Sequence, residues 1–313
     1  MATAGEAATQ VAPLALNDRR RRTQAENVGH VAHATSLAGW EEAARKPDAK
    51  GVIWDRGAHA LEKPMTEWAN GQDETLEGLT NMQLLVAPPH GRRDKCGNAG
   101  GCGDPTHHCS KKPRGADPDP EDPQQPPQQP PQPYNYDSWP VATAVDVEAA
   151  CVRVASQLPE AFRGGVAKDA AAMVAALRRL CPTTPWLTLK VEVIAIEGAC
   201  SRWHQDHYTC RCICTYTGPG TWCADDGSVR FDQFARTIGA PMHISDPAIV
   251  PSFESVHEPD PNAFVLMKGN AWPGIRGVGL THKSPNLRAD PNGEPELKRL
   301  MLKVDLAETQ PGL

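Results

Sequence analysis

The residues with the clearest chemical potential lie in the segment 203–207, Trp-His-Gln-Asp-His. In an extended strand, side chains two residues apart point to the same face. His204 and Asp206 can therefore direct an imidazole and a carboxylate into one cavity, whereas His207 has the other parity and is the weaker alternative to His204. Two histidines and one carboxylate form the facial triad that binds non-haem Fe(II) and leaves positions open for oxygen and a co-substrate.

The third ligand of such a triad must come from a distant part of the chain. His282 lies in the segment 279–286, Gly-Leu-Thr-His-Lys-Ser-Pro-Asn, after a strand-and-turn segment at 263–274. His243 and His257 are alternative third ligands in less regular sequence. The sequence therefore predicts a metal site formed by His204, Asp206 and His282, with Fe(II) as the metal and zinc as the alternative.

Two arginines are candidates for binding a co-substrate carboxylate, because a guanidinium can pair with a carboxylate through two hydrogen bonds. Arg299 opens the apolar strand 300–306, which follows the last predicted metal ligand. Arg211 lies in the strand after the His-x-Asp segment and is the second candidate. The order His-x-Asp, His, Arg is more specific than any one of its members.

The segments Trp-His-Gln-Asp at 203–206 and His-Lys-Ser-Pro-Asn at 282–286, followed by Arg299, resemble the phytanoyl-CoA dioxygenase type of 2-oxoglutarate oxygenase. The resemblance holds in order over about 187–306. It implies a double-stranded β-helix core (a cupin-like jelly roll), Fe(II) on the His-x-Asp…His set, an arginine on the far carboxylate of 2-oxoglutarate, and hydroxylation of a small substrate. Many such enzymes carry Ser or Thr two residues after this arginine, where this chain has Met301.

A second resemblance covers more of the chain. The segments 52–56, 200–207, 211–221 and 268–274, the last reading Lys-Gly-Asn-Ala-Trp-Pro-Gly, are similar to the domain-of-unknown-function family 1826. This resemblance implies a single domain and supplies no reaction.

The coarse pattern of the chain predicts helices first and strands afterwards. Apolar residues recur at helical spacing over 144–180, which predicts two helices broken near Pro159 and Gly164-Gly165, the second ending before Pro182. Alternating apolar residues from Leu187 predict a strand. Further strands are predicted at 208–216, 242–250, 263–268, 277–282 and 297–305. This order is typical of an α+β fold built on a β-sandwich or jelly roll with flanking N-terminal helices.

Composition divides the chain into three parts. Residues 1–35 are predicted to be a disordered tail, and residues 36–313 a single jelly-roll domain interrupted by a flexible Pro- and Cys-rich insertion at about 87–138. Nine prolines fall between Lys111 and Pro133. Such a tract favours the extended polyproline II form, so 111–133 is predicted to be a linker that could also bind a polyproline-binding partner domain.

The ten cysteines keep a zinc-handling protein open as the alternative function. Cys210, Cys212 and Cys214 lie on one face of a strand, either as small buried apolar residues or as ligands for a soft ion. A second cluster offers enough sulfur and nitrogen for zinc but contains no Cys-x-x-Cys pair. Its members are Cys96, Cys102, Cys109, His107 and His108.

Charge and hydropathy limit the function classes. A net charge of −6 argues against a general nucleic-acid binder, since there is no basic field to displace counterions from phosphate. The sequence contains no apolar run of about 18 residues, which argues against a membrane-spanning segment. Residues 1–22 contain no apolar stretch typical of a secretion signal, so a cytoplasmic location is expected, with organelle targeting left open by the arginines at 19–22.

Overall fold

The computed structural model describes residues 29–57, 60–72, 80–87, 141–195, 201–275, 278–285 and 298–309. These ranges form a mixed α/β structure with a large sheet, a small sheet and several helices. The strands are β1 (His30–Ala34), β2 (Ala49–Trp54), β3 (Thr80–Leu85), β4 (Trp186–Ala195), β5 (Cys210–Thr215), β6 (Trp222–Ala224), β7 (Val256–His257), β8 (Phe264–Lys268), β9 (Thr281–Lys283) and β10 (Lys298–Ala307). The helices are α1 (Leu37–Arg45), α2 (Glu62–Asn70), α3 (Ala144–Val154), α4 (Glu160–Leu180), α5 (Asp232–Arg236) and α6 (Met242–Ile249), with a short 3-10 turn at Asp226–Ser228.

The large sheet has seven strands in the order β1-β2-β8-β5-β10-β4-β3. All neighbours pair antiparallel except β1 and β2, which are parallel. The small sheet has the order β7-β6-β9. From β7 to β10, successive strands alternate between the small and the large sheet.

The sequence of β10 explains why this strand lies near the middle of the large sheet. Its apolar residues, beginning with Leu300 and Leu302, pack in the core cluster that also contains the helices. The alternate residues point the other way: Met301 packs in a second cluster with Ile213 and with Cys223 of the small sheet. Because strand side chains alternate between faces, Arg299, Lys303 and Asp305 must face the small sheet as well.

Helix α4 covers the opposite face of the large sheet. Phe162, Val166, Ala170, Met173 and Leu177 recur at helical spacing and are buried in the main core. The predicted break near Pro159 and the end before Pro182 are confirmed, but the predicted break at Gly164-Gly165 is wrong. Burial of this long apolar stripe outweighs the roughly 1 kcal/mol cost of each interior glycine.

The small sheet is covered on its outer side by α5 and α6. Trp203 and Ala224 pack there against Ile249 and Val250. The predicted strand at 242–250 is wrong, because these residues form α6. Ser245, Asp246 and Ile249 are the buried positions of α6, a helical spacing that its β-branched residues concealed in the sequence.

The predicted N-terminal tail of residues 1–35 is too long. Residues 30–34 form β1, whose pairing with β2 extends the large sheet. Val31 is buried in the cluster between the sheets, which gives the strand its physical reason to be ordered. The predictions for residues 1–28 and for nearly all of the insertion at 87–138 lie outside the described residues. Within the described part of the chain, the helices are too short or too polar to cross a membrane.

Candidate metal and carboxylate site

The backbone at His204 is attached to β9. The His204 N–H donates to the His282 carbonyl and the His282 N–H donates to the His204 carbonyl, both at 3.0 Å. This reciprocal pair is an isolated antiparallel bridge. It places the two imidazole rings side by side, with centroids 4.3 Å apart.

Asp206 completes the cluster. Its Oδ2 lies 3.5 Å from Nε2 of His282, and its Oδ1 lies 3.9 Å from Nε2 of His204. One potential ligand atom from each of the three residues lies within 4.8 Å of the other two. The structure thus brings together the residues that the sequence singled out, and their role as metal ligands stays a prediction.

Local backbone contacts set the tautomers of both histidines. Nδ1 of His204 lies 2.8 Å from the Arg202 carbonyl, and Nδ1 of His282 lies 3.1 Å from the Leu280 carbonyl. A carbonyl oxygen only accepts hydrogen bonds, so Nδ1 carries the hydrogen in each neutral ring. Each Nε2 then presents a lone pair toward the cluster, as metal-binding histidines do.

The surroundings of His204 and Asp206 favour the protonation states in which these two side chains can bind a metal ion. Burial, followed by the neighbouring His282, lowers the pKa of His204 to about 4. Burial opposes the charge on Asp206, but the neighbouring His282 and the positive charge of Arg211 hold the pKa of Asp206 well below its usual range. At neutral pH, His204 is neutral and Asp206 is ionised.

Arg211 binds two carboxylates at once. Its Nη1 lies 3.0 Å from Oδ2 of Asp206, while its Nε and Nη2 donate to the two oxygens of Asp305 at 2.7 and 3.0 Å. The guanidinium that the sequence offered as a second co-substrate clamp is therefore already engaged. Asp305 was not predicted as a site residue, because its only signal in the sequence is that it lies on the same face of β10 as Arg299.

The turn after β8 supports the backbone of the acidic residue. The Asn270 N–H donates to the Asp206 carbonyl at 2.8 Å, and the Gly269 N–H donates to the Thr209 carbonyl at 3.0 Å. A Cβ added at Gly269 would collide with the Tyr208 carbonyl oxygen. The Lys-Gly-Asn segment is thus adjacent to the candidate site, and glycine is needed for the close approach.

Arg299 is the second unusual feature of the site. It is only 1% exposed, and its contacts are hydroxyl groups: Ser284 at 3.2 Å, Thr215 at 3.4 Å and Thr221 at 3.1 Å. Among the described residues, its Nε has no hydrogen-bond partner and no carboxylate pairs with its guanidinium. Burial lowers the pKa of Arg299 to about 10.

The three hydroxyl groups around Arg299 were not predicted. Many of the oxygenases that the sequence resembles carry a hydroxyl two residues after this arginine, whereas this chain has Met301, which packs between the sheets. Ser284 follows His282 by two residues, and Thr215 has the same strand parity as Arg211. These spacings were the available signals, but only the pairing of the strands shows that the hydroxyls surround Arg299.

The alternative histidines do not join the cluster. His207 and His243 are exposed. His257 contacts His33 at 3.2 Å and Asp225 at 3.2 Å instead. Among the described residues, His204, Asp206 and His282 are the group whose ligand atoms come together.

The thiols of β5 lie on the other side of the large sheet. Cys210, Cys212 and Cys214 are buried in the main core with the helices, whereas Ile213 packs toward the small sheet. Burial raises the pKa of Cys214 to about 12. These cysteines behave as small apolar residues. The predicted cluster at 96–109 lies outside the described residues.

These features define a mixed α/β protein with two packed sheets and a His–Asp–His cluster where the sheets meet. A family described as "Protein of unknown function (DUF1826)" matches residues 128–305, more than half of the chain. The chain belongs to this family.

Other comparisons add little. No curated protein matches the chain. A crystal structure of a full-length Neurospora crassa protein in complex with alpha-KG is similar at 10% identity, covering 88% of this chain and 83% of that one, with a TM-score of 0.33. Similarity at this level supports no argument about this protein.

Proposed function

We propose that this protein is a non-haem Fe(II)- and 2-oxoglutarate-dependent dioxygenase that hydroxylates a small substrate. The observation that carries the proposal is the buried Arg299, which is surrounded by hydroxyl groups and lacks a carboxylate partner among the described residues. Leaving a buried charge unpaired costs free energy, so such a group calls for an anionic ligand. Ser284 links this arginine to the metal cluster, because it lies two residues after His282.

The cluster fits the proposed metal. Two neutral imidazole nitrogens and one carboxylate oxygen form the donor set of non-haem Fe(II) oxygenases, which leaves positions open for other ligands. His204 and His282 would bind through Nε2, since Nδ1 is occupied by a backbone carbonyl in both rings. Arg211 holds Oδ2 of Asp206 and so limits the ways in which this carboxylate can bind.

The order of the strands supports a double-stranded β-helix. Along the chain, β4, β5, β8 and β10 belong to the large sheet, while β6, β7 and β9 belong to the small one, to which the isolated bridge at His204 adds a further segment beside β9. Within the sheets the neighbours are β8-β5-β10-β4 and β7-β6-β9 followed by His204. An antiparallel arrangement of eight segments in two sheets is expected for the jelly roll that we propose for this protein. In this fold the metal would lie between the sheets.

The side chains have separate tasks in the proposed reaction. When bound, iron and 2-oxoglutarate would supply the activation of dioxygen needed to hydroxylate a C–H bond. Arg299 would bind the far carboxylate of 2-oxoglutarate, with Thr221 and Ser284 holding the guanidinium in position. The cluster of Ile213, Met301 and Cys223 lies between the sheets and limits access of water to this space.

Visible absorption of the anaerobic protein tests the proposal. Fe(II) followed by 2-oxoglutarate should produce a charge-transfer band that requires both additions and is lost in His204→Ala. Arg299→Met should retain Fe(II) but need at least ~30-fold more 2-oxoglutarate for half-saturation, because one partner of a buried charge pair is missing. Wild-type protein should also form succinate from 2-oxoglutarate in air.

His207→Ala is the matched control, since His207 is exposed in the same segment. It should leave the band unchanged. Stoichiometric zinc with no band on reconstitution would contradict the proposal and favour the zinc-handling alternative. If Arg299→Met and the wild type need the same 2-oxoglutarate concentration to reach half of the band, Arg299 does not bind the co-substrate carboxylate.

A further inference from the structure

A polar patch lies beside the candidate site where β4 meets β10. Lys190 is directly opposite Lys303, and Thr188 is directly opposite Asp305. Directly paired residues on antiparallel strands point to the same face of a sheet. Asp305 is bound by Arg211. Because Arg211 also reaches Asp206, this patch faces the same space between the sheets as the metal cluster.

The patch contains one more positive than negative charge. Lys190 and Lys303 both form ion pairs with the single carboxylate of Glu192. The Glu192 side chain is 3% exposed, so solvent compensates the charge of this carboxylate poorly. One ammonium charge therefore has no matching carboxylate within this trio.

The remaining charges of the proposed site balance without this ammonium. Asp305 matches Arg211. A divalent metal would be balanced by Asp206 and one carboxylate of 2-oxoglutarate, and Arg299 would be balanced by the other carboxylate. The excess charge of the lysine pair is thus left over when both proposed cofactors are bound.

Two further observations indicate that this patch receives a ligand. Thr188 is 8% exposed, and its buried Oγ1 has no hydrogen-bond partner among the described residues. Buried hydroxyl groups are nearly always hydrogen-bonded, so this one needs explanation. The lysine side chains remain accessible, at 32% exposure for Lys190 and 20% for Lys303.

We propose that the substrate carries a carboxylate, which binds to Lys190 and Lys303 with the Thr188 hydroxyl as a further hydrogen-bond partner. This inference rests on the proposed function, because the patch acquires its role from the metal site beside it. A single excess charge matches a carboxylate, which carries one negative charge at neutral pH, better than a phosphate dianion.

Paramagnetic relaxation tests the proposal with acetate as the probe. Protein loaded with Mn(II) and saturating 2-oxoglutarate is titrated with carboxyl-¹³C-labelled acetate. We expect saturable shortening of the ¹³C relaxation time in the wild type. In Lys190→Met the effect at the same acetate concentration should fall about fivefold, as for loss of one partly exposed charge contact. Lys303 still neutralises Glu192 in that variant.

Lys63→Met is the matched control, because this side chain is 87% exposed on α2, and it should behave as the wild type. Labelled acetamide should give no saturable effect. Equal effects in wild type and Lys190→Met, or with acetate and acetamide, would overturn the carboxylate site while leaving the metal site intact. If His204→Ala binds Mn(II) as the wild type does, the proposed function fails, and the carboxylate proposal fails with it.

Discussion

At the scale of single residues, the two imidazoles acquire their orientation from nearby backbone. His204 and His282 each contact the carbonyl of the residue two positions earlier in the chain. The side chain of Asp206 instead depends on Arg211, which comes from the large sheet. The sequence could therefore reveal the candidate ligands through their order and spacing. It could not reveal that Arg211 supports Asp206, because that contact requires the strand-to-strand register.

Arg211 is predicted to position Asp206 for metal binding. Arg211→Met should weaken the affinity for Fe(II) or Zn(II) about 10- to 100-fold, as is typical when a group that supports a ligand is removed. The affinity can be measured by competition with a chelator of known strength. Arg211→Lys should recover part of the loss if positive charge at this position matters.

Arg236→Met is the control for Arg211→Met. Arg236 is 70% exposed and pairs with Asp232 on the same helix. The Arg236→Met variant should therefore bind metal with the wild-type affinity. Wild-type affinity in Arg211→Met would show that Asp206 does not need this support.

At the scale of elements, β8 and the turn after it connect the large sheet to the candidate site. Strand β8 pairs with β5, and the turn that follows binds the backbone at Asp206 and Thr209. The Leu280 N–H then donates to the Lys268 carbonyl, so the chain leading into β9 is attached to the end of β8. The acidic residue and His282 are therefore positioned by one turn.

Gly269→Ala is predicted to disturb both stability and the site. The added methyl group would meet the Tyr208 carbonyl, which is backbone and cannot rotate away. We expect a loss of about 1–3 kcal/mol in the free energy of unfolding, measured with urea, and weaker metal binding. Gly164→Ala is the control: its added Cβ meets nothing within 4 Å, so stability should stay the same or rise. If Gly269→Ala binds metal with the wild-type affinity, the turn after β8 does not position the candidate metal ligands.

Some helices and strands could be predicted from the spacing of apolar residues in the sequence, and others could not. The apolar alternation from Leu187 identified β4 and the apolar stripe identified α4, because burial follows the period of the secondary structure. Helix α6 was predicted as a strand, since its eight residues are too few to establish a period. Asp246 and Lys283 form a buried ion pair that attaches α6 to β9, a long-range contact that no local pattern contains.

At the scale of the whole molecule, the two faces of the large sheet differ in character. One face packs on helices through apolar residues. The other includes buried charged residues, among them Arg299 and Glu192, between or beside the sheets. Their ionisation contributes to the pH dependence of folding.

The stability of the metal-free protein should depend on pH through His204. Its pKa is about 4 in the folded state, against 6.5 for an unperturbed histidine. Between these values the unfolded state binds a proton that the folded state does not, so the free energy of unfolding should decline as pH falls from 6.5 toward 4. Above pH 6.5 the imidazole is neutral in both the folded and the unfolded state, so His204 causes no loss of stability there. Urea denaturation across this range measures the slope.

His204→Gln should make the decline between pH 6.5 and 4 shallower. His207→Gln should keep the wild-type slope, because His207 is exposed. Equal slopes in His204→Gln and the wild type would mean that another group causes the decline. Glu192, whose pKa is lowered by Lys303 and Lys190 despite the opposing effect of burial, should lose its contribution only below its ordinary value of 4.5.

The alternation along β5 separates thiols from the candidate site. Cys210, Cys212 and Cys214 face the helices, while Arg211 on the same strand reaches toward Asp206. Burial raises the pKa of each thiol, so few thiolates are present to react. If the proposed dioxygenase reaction takes place, the large sheet separates these three thiols from oxidants formed on its other side. Cys223 and Met301, which lie between the sheets, do not have this separation and would be the sulfur atoms damaged first.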